Sequence, residues 1–503
     1  MTPLSDEEYN LRCGMKIIIK SYLPQSDVLT MRLLSNWTFS IVKTYPLKIY
    51  AKSSSNLKEI NSAIRLSRFS IGKLFYTYSS KVTSDDISNV THLKACDNVP
   101  IDSLGSVVDL SLKISNIAPD LEDLSPTIRH LTLKLPLNWN ANQTEGLILP
   151  PNLTRLSLEN FNQGVDDLGL ELTHLVLGSK FNQPIDFLPI SLTHLILGKD
   201  FDQGVDHLPP NLLRLEFSNY SSSRFNQPVD NLPSKLTHLN LGWAFNQTID
   251  FLPSSLLYLE VGMHFNRPID LLPPNLSRLK LGHQFDQEVD LLPESLQTLD
   301  LGHCYLFNRE INNLPSSLLI LNLGGNFDQS VDELPNSLAC LTLSHVFNRE
   351  IDNLPPNLID LTLGPSFNSL IDNLPNGLLY LTLGSYFNRN IDHLPDSLVS
   401  LLFGYHFDQS IDNLPLNLNY LQLGNCFNRT IDFLPQNLKR LDMISHYLTK
   451  RVDFLPKITH LTIMPGKENL FTIPKSVTHF YRMKKGRQQL IWTRNPSGVR
   501  TSS

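Results

Sequence analysis

The chain has 503 residues and a formal net charge of −6, a balance that excludes a strongly basic nucleic-acid binder. No run of eighteen apolar residues occurs, so no transmembrane helix is expected. Five scattered cysteines (Cys13, Cys96, Cys304, Cys340, Cys426) without a C-x-x-C pair argue against a disulfide framework or zinc ribbon and for a reducing compartment.

At the N-terminus, Pro3, Asp6, Glu7 and Glu8 precede any apolar stretch, so no secretory signal is read and an intracellular, cytoplasmic protein is expected. Met15 to Leu23 carries apolar residues at helical spacing, followed by Pro24 and a cap at Ser26 or Asp27. Val28, Leu29, Leu33, Leu34, Trp37, Ile41 and Val42 continue the amphipathic pattern. The order I-I-x-x-Y-L-x-x-x-D-V-L-x-x-R-L-L-S-N-W-x-x-x-I-V resembles the F-box, a compact helical module that docks on the Skp-type adaptor of cullin–RING ubiquitin ligases. The resemblance implies that Ile18, Leu23, Asp27, Leu29, Leu33 and Trp37 meet such an adaptor; Arg32 and Ser35 also fall on matching positions. Cys13-Gly14 stands where F-boxes usually open with Leu-Pro. The plainer reading of residues 1–50 is a helical cap that shields the first coil of the repeats downstream.

Residues 51–87 are polar, with serine clusters around short β-prone patches such as Leu74-Phe75-Tyr76, and read as a linker. From residue 88 a strand phrase recurs: Val90-Thr-His-Leu93, then Leu110-Ser-Leu112, Leu131-Thr-Leu133 and Leu156-Ser-Leu158. Residues 88–160 read as degenerate N-terminal repeats.

From Phe161 to residue 446 the phrase becomes regular. Phe returns at 181, 201, 225, 245, 265, 285, 307, 327, 347, 367, 387, 407 and 427, twenty residues apart except for one step of twenty-four and one of twenty-two. A period held this long means a solenoid, whose units bury their apolar sides only against one another. Leu192-x-x-Leu195-x-Leu197 alternates as a short half-buried strand does. Gly198 behind it predicts positive φ or close backbone approach, and Leu208-Pro209 predicts a return path of extended chain or tight turns. The Phe column is read as a core spine. Asn or Asp follows it (Asn182, Asp202, Asn226 and onward), placed to satisfy turn backbone groups from one coil to the next.

That row resembles the asparagine ladder of leucine-rich repeats, and Leu-Pro-x-x-Leu-x-x-Leu-x-Leu resembles the short repeats of bacterial effectors. Phe-Asn-x-x-Ile, followed by Leu-Pro and Leu-x-x-Leu-x-Leu-Gly, resembles the FNIP repeat over about 300 residues. The FNIP family is associated with social amoebae and giant viruses of amoebae. The resemblance implies interaction rather than catalysis, in the cytoplasm of an amoeba (the host's, if the protein is viral).

After Phe427 the phrase fades through Leu438-Lys-Arg-Leu441, Ile458-Thr-His-Leu461 and Val477-Thr-His-Phe480. Residues 447–482 read as degenerate C-terminal repeats and cap. Residues 483–503, with Lys484-Lys485-Gly486-Arg487, read as a loose basic tail. The expected fold is mainly β: a leucine-rich-repeat-like solenoid of about twenty short coils with one parallel sheet, preceded by a small α-helical N-terminal module.

Charge is split along the chain. Residues 161–460 hold 17 Lys+Arg against 32 Asp+Glu, and residues 461–503 hold 8 against 1. No G-x-S-x-G, H-E-x-x-H, P-loop or G-x-G-x-x-G phrase stands in strand-to-helix context, and acids that recur in every coil suit a structural job. No enzyme, cofactor or metal is read. The histidines of the Leu-Thr-His-Leu phrase read as outward strand residues. An aspartate column (Asp186, Asp206, Asp230 onward) reads as acceptors of turn N–H groups, the sharper alternative being a row of calcium sites. Side chains that change from coil to coil on a rigid frame predict a target-binding concave face at His194, Arg214, His238, Tyr258, Arg278, Tyr380, Tyr420 and Arg440. The leading function is a substrate receptor whose partners are a Skp-type adaptor and a protein target, with neither nucleic acid nor membrane. A scaffold with no ubiquitin link and a glycan-processing β-solenoid are the competing functions.

Overall fold

The computed structural model describes residues 48–51, 73–77, 92–96, 107–113, 124–136, 149–484, 487–494 and 500–502. The adaptor-binding residues expected between Ile18 and Trp37 lie outside them. Among the described residues the chain is built of strands, with one short 3-10 turn at Glu468–Leu470. No described helix is long and apolar enough to cross a membrane.

The chain divides into two compact units, residues 1–181 with 187–192, and residues 182–186 with 193–503. The first unit holds β1 (Lys48–Ala51), β2 (Lys73–Thr77), β3 (His92–Cys96), β4 (Asp109–Lys113), β5 (His130–Lys134), β6 (Arg155–Glu159) and β7 (His174–Leu177). These pair in parallel and in chain order. β2 falls inside the stretch expected as a linker, and β1 overlaps the end of the expected helical module. Strand stacking therefore begins earlier than the Leu-x-Leu phrase does.

The second unit holds β8 (His194–Leu197), β9 (Arg214–Phe217), β10 (His238–Asn240), β11 (Tyr258–Glu260), β12 (Arg278–Lys280), β13 (Thr298–Leu301) and β14 (Ile320–Leu323). It continues with β15 (Cys340–Thr342), β16 (Asp360–Thr362), β17 (Tyr380–Thr382), β18 (Ser400–Leu402), β19 (Tyr420–Leu423), β20 (Arg440–Met443) and β21 (His460–Ile463). It closes with β22 (His479–Lys484), β23 (Arg487–Arg494) and β24 (Arg500–Ser502). From β8 to β22 the pairing is parallel, with equivalent repeat positions aligned; Leu259, for example, lies between Leu239 and Leu279. The twenty strand phrases read from the sequence are β3 to β22.

Each element of the coil has a physical cause. The strand leucines point into the core, and Leu195, Leu259 and Leu421 are fully buried. Behind them run the phenylalanines, with adjacent rings stacked in parallel: Phe327, Phe347 and Phe367 have centroids 6.3 Å apart. Burying each such ring contributes about 1.5–3 kcal/mol, which a single coil could not secure alone. In the Leu-Pro-x-x-Leu turn the proline carbonyl accepts from the leucine N–H three residues on, as in Pro253 to Leu256 at 3.0 Å. The proline thus opens a tight turn.

The glycine column resolves mainly into close approach, with Gly242 also at φ 73°. A Cβ at Gly384 would sit 1.8 Å from the Gly364 carbonyl oxygen. Where the column holds Ser344 instead, the hydroxyl is buried, donates to the Phe327 carbonyl at 2.6 Å and accepts from the Phe347 N–H.

The Asn/Asp row forms an unbroken ladder. Starting at Asn182, each side-chain Oδ1 accepts the backbone N–H of its counterpart one coil on, through Asp202, Asn226, Asn246 and their successors, to Thr449. The two long steps leave it intact: Asn226 reaches Asp202 at 3.0 Å and Asn308 reaches Asp286 at 3.4 Å.

Two expectations are corrected. The stretch from residue 483 is not a loose tail throughout: β23 returns antiparallel on β22, and β24 adds antiparallel to β23. Trp492 stacks on Phe480 with centroids 5.3 Å apart. A parallel stack ends in an open edge, and the antiparallel return covers it. The aspartate column, expected to accept turn N–H groups, is held mainly by side chains where it is held at all. Asn231 donates to Asp206, Asn353 to Asp332 and Asn413 to Asp392. Among the described residues no three His, Cys, Asp or Glu side chains converge as metal ligands would.

Candidate functional site

A strand of three or four residues presents two outward positions, the first and third, while the second and fourth enter the core. In the second unit these outward positions line up as two columns across the sheet. The first runs His194, Arg214, His238, Tyr258, Arg278 on consecutive strands β8 to β12. Tyr380 lies further along on β17, and Tyr420 and Arg440 are neighbours on β19 and β20. All eight residues expected to bind a target occupy this column, and all are at least partly exposed.

The start of the face is charged and internally matched. Arg214 pairs with Glu216 two residues along its own strand. Glu260, only 15% exposed at its side chain, binds Lys280 Nζ at 3.0 Å and accepts from the Tyr258 hydroxyl at 2.8 Å. Burial and then this hydrogen bond hold the Tyr258 phenol well above its ordinary pKa. His238 lies beside Tyr258 with ring centroids 5.9 Å apart, and its pKa is lowered by burial first and by Arg214 second.

The Leu-Thr-His-Leu phrase has a local meaning. Thr237 Oγ1 donates to the Leu213 carbonyl at 3.0 Å and lies 2.9 Å from His238 Nδ1. The hydroxyl proton is used on the carbonyl, so Nδ1 must carry the proton that closes the second contact. The neutral ring then turns Nε2 outward as an acceptor. The same arrangement holds at Thr459–His460 and Thr478–His479.

The far end of the face is a buried network. Asp442 is fully buried, in the second column, and accepts from Arg440 Nη2 and the Tyr420 hydroxyl, each at 2.8 Å. Gln488 on β23 adds a third donor at 2.9 Å. The Arg440 guanidinium also covers the Tyr420 ring, 4.7 Å from its centroid. His460 and His479 stack alongside, 4.5 Å apart. Sequence reasoning did not single out Asp442, the acid that organises the far end; the signal was the third strand position, where it stands beside Tyr420 and Arg440.

The repeats are matched by the family described as FNIP Repeat, at residues 164–200, 181–220, 225–264, 265–304, 347–386, 368–406 and 387–426. A crystal structure of CroV588, described as a novel circular LRR protein structure, is 30% identical, with 89% of this chain and 81% of that chain covered and a TM-score of 0.65. This chain is a FNIP-repeat protein. YopM from Yersinia enterocolitica WA-314 is 22% identical, with 82% of this chain and 86% of that chain covered, at a TM-score of 0.43. No curated protein matches the chain. As a leucine-rich-repeat-like FNIP solenoid, it has an architecture consistent with protein–protein interaction, and the outward columns are where such contact has side chains to use.

Proposed function

We propose that this FNIP-repeat protein is a substrate-recognition subunit of a Skp/cullin/F-box-type ubiquitin ligase, acting in the cytoplasm. The strand face of residues 193–503 holds the target, and the segment at residues 1–50 engages a Skp-type adaptor through Ile18, Leu23, Asp27, Leu29, Leu33 and Trp37. The observation that carries the target-binding half is the in-register column from His194 to Arg440, where Tyr, Arg or His stands at eight of thirteen positions and the residue type changes from strand to strand on an otherwise repeated frame. Such residues anchor protein interfaces. The ligase half rests on the amphipathic order of residues 18–42 and its likeness to the F-box. The ubiquitin-transfer chemistry belongs to partner subunits, so this chain needs no catalytic group of its own.

A scaffold without a ubiquitin link is the second reading, favoured by Cys13-Gly14 in the place of Leu-Pro. The two readings separate in one experiment. The full chain is titrated against a purified amoebal Skp-type adaptor, alongside Leu23→Asp and Trp37→Ala. Binding by the parent that both substitutions abolish supports the receptor. No binding at micromolar concentration leaves the scaffold.

A further inference from the structure

The strand face of residues 193–503 changes character in its middle. On β14 to β18 the two outward columns, and the rim position just before each strand, hold no Lys, Arg, Glu or His. The rim residues Leu319, Ala339, Ile359, Leu379 and Val399 follow one another in an unbroken series, each backbone N–H 2.8–2.9 Å from the preceding carbonyl. Polar Gln297 and Asn419 bound the series at its two ends. Leu319 is 41% exposed and Ile359 42%, with exposed Ile320 and Tyr380 beside them. Ala339, Leu379 and Val399 between and beyond them are half-buried, and a continuous apolar band of this kind, partly open to solvent and set between polar flanks, marks an interaction surface.

One charge stands inside it. Asp360 lies in register between Cys340 and Tyr380, half-buried, and among the described residues its carboxylate has neither a hydrogen bond nor an ion pair. The other carboxylates of this face are satisfied. Glu216 has Arg214, Glu260 has Lys280 and Tyr258, Asp300 has the Gly302 N–H, and Asp442 has Arg440, Tyr420 and Gln488. Burial raises the Asp360 pKa, with no attraction to oppose it. A carboxylate withdrawn from water without a partner is unfavourable to the free protein, and a cation that arrives with a ligand removes that cost. Apolar contact around one matched charge is the arrangement of an interface anchor.

We propose that the apolar band of β14 to β18 is the main docking site for the target, and that its occupant is a protein segment of apolar residues bearing one Lys or Arg that pairs with Asp360. This rests on the reading of the strand face as target-binding. The charge identifies the occupant. Two copies of this chain meeting symmetrically through the band would bring their Asp360 carboxylates together instead of neutralising them.

The test uses a random dodecapeptide library displayed on phage and selected on the immobilised full chain, with enriched peptides then synthesised and titrated. Enriched sequences should place Lys or Arg within an apolar run. Their affinity should fall at least tenfold on Asp360→Lys or Ile359→Asp and severalfold on Asp360→Asn, and hold on Phe433→Ser, an exposed site outside the strands. Among the described residues the Asp360 carboxylate makes no hydrogen bond or ion pair, so Asp360→Asn should melt at or above the parent and its binding loss can be read directly. Peptides that bind the Asp360→Lys protein undiminished overturn the docking site. If their binding falls instead with Tyr258→Ala or Arg440→Ala, the strand face still binds protein and only the location fails. Absence of any enriched peptide overturns both readings. A dimer in sedimentation that Ile359→Asp disperses would assign the band to a second copy and overturn the proposed occupant.

Discussion

Arg440 Nη2 lies 2.8 Å from Asp442 Oδ2, two residues along one strand, and the Asp442 side chain it holds is fully buried while the arginine side chain remains 38% exposed. Arg440 was expected on a target-binding face. Its charge is instead committed to Asp442, so the side chain offers a partner its plane more than its charge.

Replacing Arg440 by Ala should destabilise the C-terminal coils by about 2–3 kcal/mol, the low end for a broken buried pair because the arginine is partly solvated. Asp442 would keep only the neutral donors Tyr420 and Gln488. Replacing both charges with Leu should recover part of the loss. Hydrogen exchange across β19 to β21 is the suitable measurement, because repeat arrays open coil by coil. Unchanged protection in Arg440→Ala would show that the pair contributes nothing.

The ladder predicts a substitution pattern that depends on acceptor capacity. Asn368 Oδ1 accepts the Asn388 N–H at 2.9 Å. Asn368→Ala removes that acceptor and should cost about 1 kcal/mol. Asn368→Asp should be nearly silent, since Asp already fills this position at 202, 286, 328 and 408. Urea midpoints of the two variants decide the matter; equal midpoints would mean that water replaces the ladder without loss.

Acid should loosen the last coils first. His460 has its pKa lowered from 6.5, by burial foremost and then by His479 and Arg440, with Asp442 opposing. The unfolded chain therefore binds the proton more readily than the folded one. The contribution of His460 is intact above pH 6.5 and is lost as pH falls below it. Thermal melts between pH 8 and pH 5 should show a decline that His460→Gln reduces. A parallel decline in both proteins would place the titrating group elsewhere.

Much of this architecture was legible before any coordinates. A strict period makes each residue's neighbour known: Phe347 must meet Phe327 and Phe367, and Asn368 must meet Asn348 and Asn388. The repeat thus disclosed the spine, the ladder and the strand frame together. What it hid lies where the period gives no guidance. Trp492 on Phe480 and Gln488 on Asp442 are contacts of a strand that runs against the stack, 12 and 46 residues distant, with no repeated counterpart. The isolation of Asp360 was equally obscure, because it depends on what is missing from five adjacent strands. The apolar rim at Leu319 to Val399 could have been found by reading the column one place earlier. It escaped because a residue just outside the strand has no assigned face from alternation alone.

The two longer steps of the array show where this chain tolerates length. Ser218 to Arg224 carries four additional residues, and the segment around Cys304 carries two, yet the flanking phenylalanines still stack 6.1 Å and 6.0 Å apart. The corner between strand and phenylalanine is therefore mechanically decoupled from the pitch of the coil. New loops can be grafted there without shifting any downstream register. The solenoid is open to elaboration along that seam.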